Sequence, residues 1–147
     1  MKKILIAAAV LITSTFTAFT ANAGDKVNAK VLSTFQKEFS QATDVKWTIT
    51  DDVVKANFSY LGTRAEAFFT TEGELMGTAR NVLYNQLPIA ITRELDKKYA
   101  SATIYDIIEY SVGGETKYSM TIELVSKKLT VKATSGGEIW VEAKMKK

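Results

Sequence analysis

The chain has 147 residues with 19 basic and 16 acidic side chains, a single proline, and neither histidine nor cysteine. That composition removes disulfide scaffolds, thiol or imidazole catalysis and zinc sites of the usual Cys/His type. The formal net charge of +3 carries no nucleic-acid reading, since two basic residues precede Ala23 and the other seventeen nearly balance the sixteen acids.

The first stretch reads as a leader. Met1-Lys2-Lys3 is a short positive region, Ile4 to Ile12 is an apolar run too short to span a bilayer comfortably, and Ala21-Asn22-Ala23 is an A-x-A cleavage site. We therefore expect a signal peptide over 1–23, cut after Ala23; an uncleaved N-terminal anchor is the alternative. No cysteine follows to take a lipid, so the expectation is a periplasmic or secreted protein with no stable membrane insertion after cleavage. Residues 24–147 suffice for one domain, because a chain near this size buries about two-thirds of its unfolded surface.

Asp25 to Ser40 carries Val27, Val31, Phe35 and Phe39 at helical spacing, with Lys30, Lys37 and Glu38 around the rest of the cylinder. Val45, Trp47 and Ile49 then alternate with polar residues up to a turn at Asp51-Asp52. Val54/Ala56/Phe58/Tyr60, a turn at Leu61-Gly62-Thr63, Ala65/Ala67/Phe69, a turn at Glu72-Gly73 and a strand from Glu74 to about Leu83 complete the first half.

A second helix is predicted within 85–103. Pro88, lacking an N–H and with a preset φ, suits the first helical position, and Leu87, Ile91, Leu95 and Tyr99 form one apolar stripe. Glu94 stands four residues before Lys98, in the favourable orientation. Four strands follow: Ile104 to Val112, Tyr118/Met120/Ile122/Leu124, Leu129/Val131/Ala133 and Ile139/Val141/Ala143/Met145, with turns at Gly113-Gly114, Ser126-Lys127-Lys128 and Ser135-Gly136-Gly137. In the first of these, Ile104, Ile108 and Tyr110 compete with Tyr105 and Ile107 for the inner face. Val31, Phe35 and Phe39 lie 60 residues before Ile91, Leu95 and Tyr99. The predicted fold is α+β: a tandem of helix-plus-four-antiparallel-strand units, about 25–84 and 85–147, with the helices packed on one face of the sheet.

The helix followed by V-x-W, the internal L-P opening a second helix, and the G-E-aliphatic hairpin in each half resemble the PepSY-like family of exported bacterial proteins, also described as similar to β-lactamase inhibitor proteins. The residues carrying the resemblance are Phe35, Phe39, Val45, Trp47, Gly73, Glu74, Leu75, Leu87, Pro88, Tyr99, Gly137, Glu138 and Ile139. The likeness spans essentially all of 24–147. It implies a β-lactamase-inhibitor-like fold and a protein that is not an enzyme. The cysteines that stabilise the inhibitor have no counterpart here.

No residue set is predicted to be catalytic, to bind a cofactor or to hold a metal. Asp51-Asp52, Glu72, Glu74 and Glu138 read as turn formers rather than calcium or acid/base sites. Lys127-Lys128 and Lys144/Lys146/Lys147 read as solvated turn and tail, with strand-edge lysines discouraging aggregation. Trp47, Phe58, Tyr60, Phe69 and Tyr118 are in phase with aliphatic neighbours and are expected in the core. Phe68 and Trp140 are out of phase, among Glu66, Thr70, Glu142 and Lys144; each is an anchor for a partner, or Trp140 is covered by a neighbouring loop. Lys46, Lys55, Arg64 and Lys132 alternate onto the same side. Function is accordingly expected to be non-catalytic binding or inhibition of a periplasmic or extracellular protein through an exposed sheet face. The alternatives are a small-ligand or metal-ion carrier using carboxylates between the two halves and, third, a hydrolase working with carboxylates alone.

Overall fold

The computed structural model describes residues 26–147; the expected leader and its cut after Ala23 lie outside them. Helix α1 (Ala29–Glu38) is followed by strands β1 (Thr43–Ile49), β2 (Val54–Tyr60), β3 (Thr63–Phe69) and β4 (Leu75–Asn81). After a 3-10 turn at Tyr84–Gln86 come helix α2 (Ile89–Tyr99) and strands β5 (Thr103–Val112), β6 (Glu115–Glu123), β7 (Lys127–Thr134) and β8 (Ile139–Lys146). The eight strands form one antiparallel meander in sequence order. Pairing of β4 with β5, from Gly77 opposite Val112 to Asn81 opposite Ile108, joins the halves into a continuous sheet.

Each helix buries one stripe. The Asn28 side chain caps α1 by accepting from the Lys30 N–H at 2.9 Å, and Val31 and Phe35 point inward. They meet Val54, Ala56, Phe58, Ala67 and Phe69 in a core rich in aromatic contacts. Phe35 stands edge-on to Phe58 and Trp47, with 5.0 Å between ring centroids in both pairs. The second core is aliphatic: Ile91 and Leu95 of α2 pack on Met120, Ile122, Leu129 and Val131, with Tyr118 at its margin. Both cores lie on one side of the sheet. The cross-strand series Phe58, Ala65, Arg80, Glu109, Tyr118, Ala133, in which each residue is opposite the next, connects them. No helix among the described residues is long and apolar enough to cross a membrane.

Two glycines let hairpins tuck beneath the helices. Gly73, between β3 and β4, has φ +94°, and a Cβ there would lie 2.8 Å from the Lys30 backbone; Gly137, between β7 and β8, has φ +93° and would meet the Ala90 carbonyl oxygen at 2.9 Å. The turns share one wiring. The Thr70 N–H donates to the Glu74 carbonyl and the Gly73 N–H to Thr70, and Thr134, Glu138 and Gly137 repeat the pattern. In each, the threonine hydroxyl also accepts from the glutamate N–H.

Two local expectations are corrected. Pro88 occupies the N-cap, with ψ 140°, and the helix begins one residue later at Ile89. Proline requires an extended residue before it, which Leu87 supplies (φ −67°, ψ 147°), and the Pro88 carbonyl accepts from the Ile91 and Thr92 amides. In β5 neither competing set takes the inner face. A bulge between Tyr105 and Ile108, with Asp106 at φ +50°, switches the phase of the strand. Ile104 and Ile107 therefore face the helices, and Tyr105, Ile108, Tyr110 and Val112 face the other way.

Candidate binding face

The side of the sheet away from the helices is uncovered, and its side chains fall into three cross-strand rows. One runs from Lys46 through Asn57, Glu66, Ala79 and Tyr110 to Lys117. A second runs from Thr48 through Lys55, Phe68, Gly77 and Val112 to Glu115. In the third, Ser59 stands opposite Arg64, and Asn81, Ile108, Ser119, Lys132 and Trp140 follow one another across β4 to β8. All six residues singled out from the sequence, Trp140, Phe68, Lys46, Lys55, Arg64 and Lys132, thus lie on this open face.

They do not form one patch. Phe68 on β3 and Trp140 on β8 are five strands apart, about 24 Å at the usual inter-strand spacing. Trp140 is 40 % exposed on an edge strand, which disposes of the alternative that a loop covers it. Phe68 is half-buried opposite Gly77. A Cβ on Gly77 would come within 2.6 Å of the Ser111 carbonyl oxygen and 2.8 Å of Val112 Cγ2, so the absence of a side chain there is what lets β5 close over β4.

The positive charge of the face is narrower than its lysine count. Lys55 pairs with Glu66 at 3.4 Å, and Lys132, 18 % exposed, pairs with Glu142 while its ammonium stands 6.0 Å from the centre of the Tyr110 ring. Lys46 and Arg64 form no ion pair among the described residues and are both exposed. Farther along, Lys128 lies over Tyr105; the hydrogen bond to that phenol and the charge of Glu123 hold the Lys128 ammonium above its ordinary pKa. The Glu123 carboxyl is lowered in turn, chiefly by its bond with Lys147.

Sequence reasoning missed Tyr110, Ile108 and Val112 on this face, because their phase depends on the Asp106 bulge. It also missed the small residues Gly77 and Ala79, which lower the centre of the face between the taller side chains of β3 and β5. Alternation of small and polar residues along β4 was the one available signal.

On the helix side, the strip between the two cores is polar. Arg80 Nε donates to Glu109 Oε1 at 2.7 Å, the Tyr118 hydroxyl donates to Glu109 Oε2 at 3.2 Å, and Ser111 and Thr116 share a hydrogen bond of 3.0 Å. Burial, followed by the Glu109 charge, raises the Tyr118 phenol above its ordinary pKa, and the hydrogen bond to Glu109 raises Arg80. Glu109 is therefore fully engaged. Among the described residues no three His, Cys, Asp or Glu side chains come together to hold a metal ion. Asp51 and Asp52 are exposed at the tip of the β1–β2 hairpin, beside a turn closed by the Thr50 hydroxyl and the Val53 backbone.

No protein-family model matches the chain, and no curated protein sequence matches it. Solved structures do. A BLIP-like protein from Bacteroides fragilis superposes with a TM-score of 0.70 at 20% identity, covering 82% of this chain and 87% of that one. The fold is BLIP-like. A candidate periplasmic protein from Bacteroides eggerthii gives 0.70 at 14% identity, over 82% of this chain and 88% of that one. A DUF2874 family protein from Bacteroides ovatus gives 0.68 at 19%, over 80% and 86%. These likenesses bear out the inhibitor-like fold expected from the sequence, and at such identities they speak for the fold alone.

Proposed function

We propose that this protein is a non-catalytic binding or inhibitory module of the periplasm or extracellular space, which engages a protein partner through the open face of its BLIP-like sheet. One observation carries the reading: the helices cover one side of the eight-stranded sheet, while the other side presents Trp140, Tyr110, Ile108 and Phe68 interleaved with Lys46, Arg64, Lys55 and Lys132. Aromatic anchors among polar and cationic neighbours are the composition of a protein-binding surface, and a sheet holds them with little freedom to lose on binding. The leader-like segment 1–23, and the periplasmic description of the Bacteroides eggerthii relative, support the location.

Residues 24–147 are read as a single PepSY-like domain built from two repeats. The matched closures of Gly73 on Lys30 and of Gly137 on Ala90, with their identical turn wiring, support the repeat. The test is affinity capture from a periplasmic extract on immobilised residues 24–147, comparing the natural chain with Trp140→Ala. A partner retained by the first and lost by the second is the expected result. Reproducible turnover of a substrate, abolished by a point mutation and with no partner recovered, would overturn the reading.

A further inference from the structure

At the centre of the open face the surface drops over β4, and we propose that this depression is a socket for a carboxylate side chain of the partner. The inference rests on the reading of the open face as a protein-binding surface and gives that surface its chemistry. The depression has a volume of about 180 Å³ and is lined by Arg64, Ala65, Glu66, Ala79, Arg80, Asn81 and Ile108, the Arg80 side chain being held on the helix side by Glu109. It lies where the β3–β4 ladder ends, Ala65 opposite Arg80 being the last pair and Arg64 and Asn81 flanking the gap beside the small Ala79, and its walls belong to strands rather than to loops.

The charges around the rim select the occupant. Arg64 has no ion-pair partner among the described residues, whereas Glu66, the acid of the lining, is already held by Lys55 at 3.4 Å. Counting Arg64, Lys55 and Glu66 together, the rim carries one uncompensated positive charge. An incoming cation would meet the Arg64 guanidinium at close range. A carboxylate would instead meet its donor fork, with the Asn81 amide as a further donor and Ile108, directly opposite Asn81 in the ladder, as an apolar wall for the methylenes.

The probe is N-acetyl-glutamate N-methylamide, titrated into residues 24–147 and followed by backbone amide NMR, with the glutamine analogue as control. For a ligand this small a dissociation constant of about 1 mM is the expected scale. Saturable shifts should centre on Ala65, Ala79, Arg80 and Asn81, weaken about fivefold or more for the glutamine analogue, weaken likewise in Arg64→Gln, and persist in Trp140→Ala. Equal binding of both analogues, shifts that survive Arg64→Gln, shifts centred elsewhere, or none at all would each overturn the socket. A partner captured through Trp140 while the glutamate titration stays silent would remove the socket and leave the binding face intact; specific glutamate binding with no partner would do the reverse.

Discussion

Gly73→Ala tests how the helices are fastened to the sheet. Two costs combine at this position. An alanine must hold φ near +94°, a conformation that costs an L-residue about 1–2 kcal/mol, and its methyl must enter space already occupied 2.8 Å away by the carbonyl carbon and Cβ of Lys30. The second contact involves helix backbone, which cannot swing aside, so α1 must lift or the hairpin must drop, at a further ~1–3 kcal/mol by analogy with overpacked cores. The expected loss is about 2–5 kcal/mol. Gly62→Ala isolates the first cost, since Gly62 has φ +79° but nothing within 4 Å of the position its Cβ would take. Its expected loss is about 1–2 kcal/mol. Urea denaturation of both variants, with unchanged m-values as the check on two-state behaviour, measures the difference. If the two losses agree to within about 0.5 kcal/mol, the close approach of hairpin and helix is not an energetic feature of the fold.

Leu95→Ala should cost about 2–5 kcal/mol, because Leu95 is fully buried in the second core, whereas Ile89→Ala at the start of the same helix, 72 % exposed, should stay within about 0.5 kcal/mol in the same denaturation assay. Tyr84 donates to Asp96 Oδ1 at 2.6 Å, and burial together with that carboxylate pushes its phenol up to about 12 from the ordinary 10.0. A raised folded pKa means that its contribution is complete below pH 10 and is lost as the pH climbs through about 12, so the urea midpoint should fall over that window, and less steeply in Tyr84→Phe. An identical slope in the variant would refute the assignment. Trp140→Ala should weaken partner capture by about 2 kcal/mol or more with little change in thermal midpoint; a large fall in midpoint with unchanged capture would make Trp140 structural.

Much of this architecture was legible because the two helical stripes and most strands keep a strict period. Val31 and Phe35, Ile91 and Leu95, and the alternating Val54/Ala56/Phe58 and Tyr118/Met120/Ile122 all lie where their spacing puts them. What escaped the sequence is what depends on a break in period or on a neighbour across the sheet. Nothing in Tyr105-Asp106-Ile107 announces a left-handed aspartate, yet that one residue turns Ile108 and Tyr110 outward. The pairing of Lys55 with Glu66, and of Lys132 with Glu142, depends on register and so was invisible when the four cations were read as a common positive surface. The depression over Ala79 is likewise a relation among three strands.

The division of labour between the two sides of the sheet follows from the same geometry. Both apolar cores that offset the chain's conformational entropy lie on the helix side, on either side of the polar strip of Arg80, Glu109 and Tyr118. Side chains on the open face rest on strands already ordered by those cores, so Trp140 and Arg64 can change without removing a buried apolar contact. Within each regular run of strand, period two enforces this separation: an open-face residue is flanked along its strand by helix-side residues, which hold its Cα in place whatever its own side chain does. A bulge is the exception, because it moves a residue from one side to the other. The bulge at Asp106 does this in β5, where it places Ile108 and Tyr110 on the open face. Deleting Asp106 would restore a regular β5 with Ile107 opposite Met120, still facing the helices, and Ile108 opposite Ser119, still on the open face, because the bulge absorbs the one residue that would otherwise put the strand out of phase.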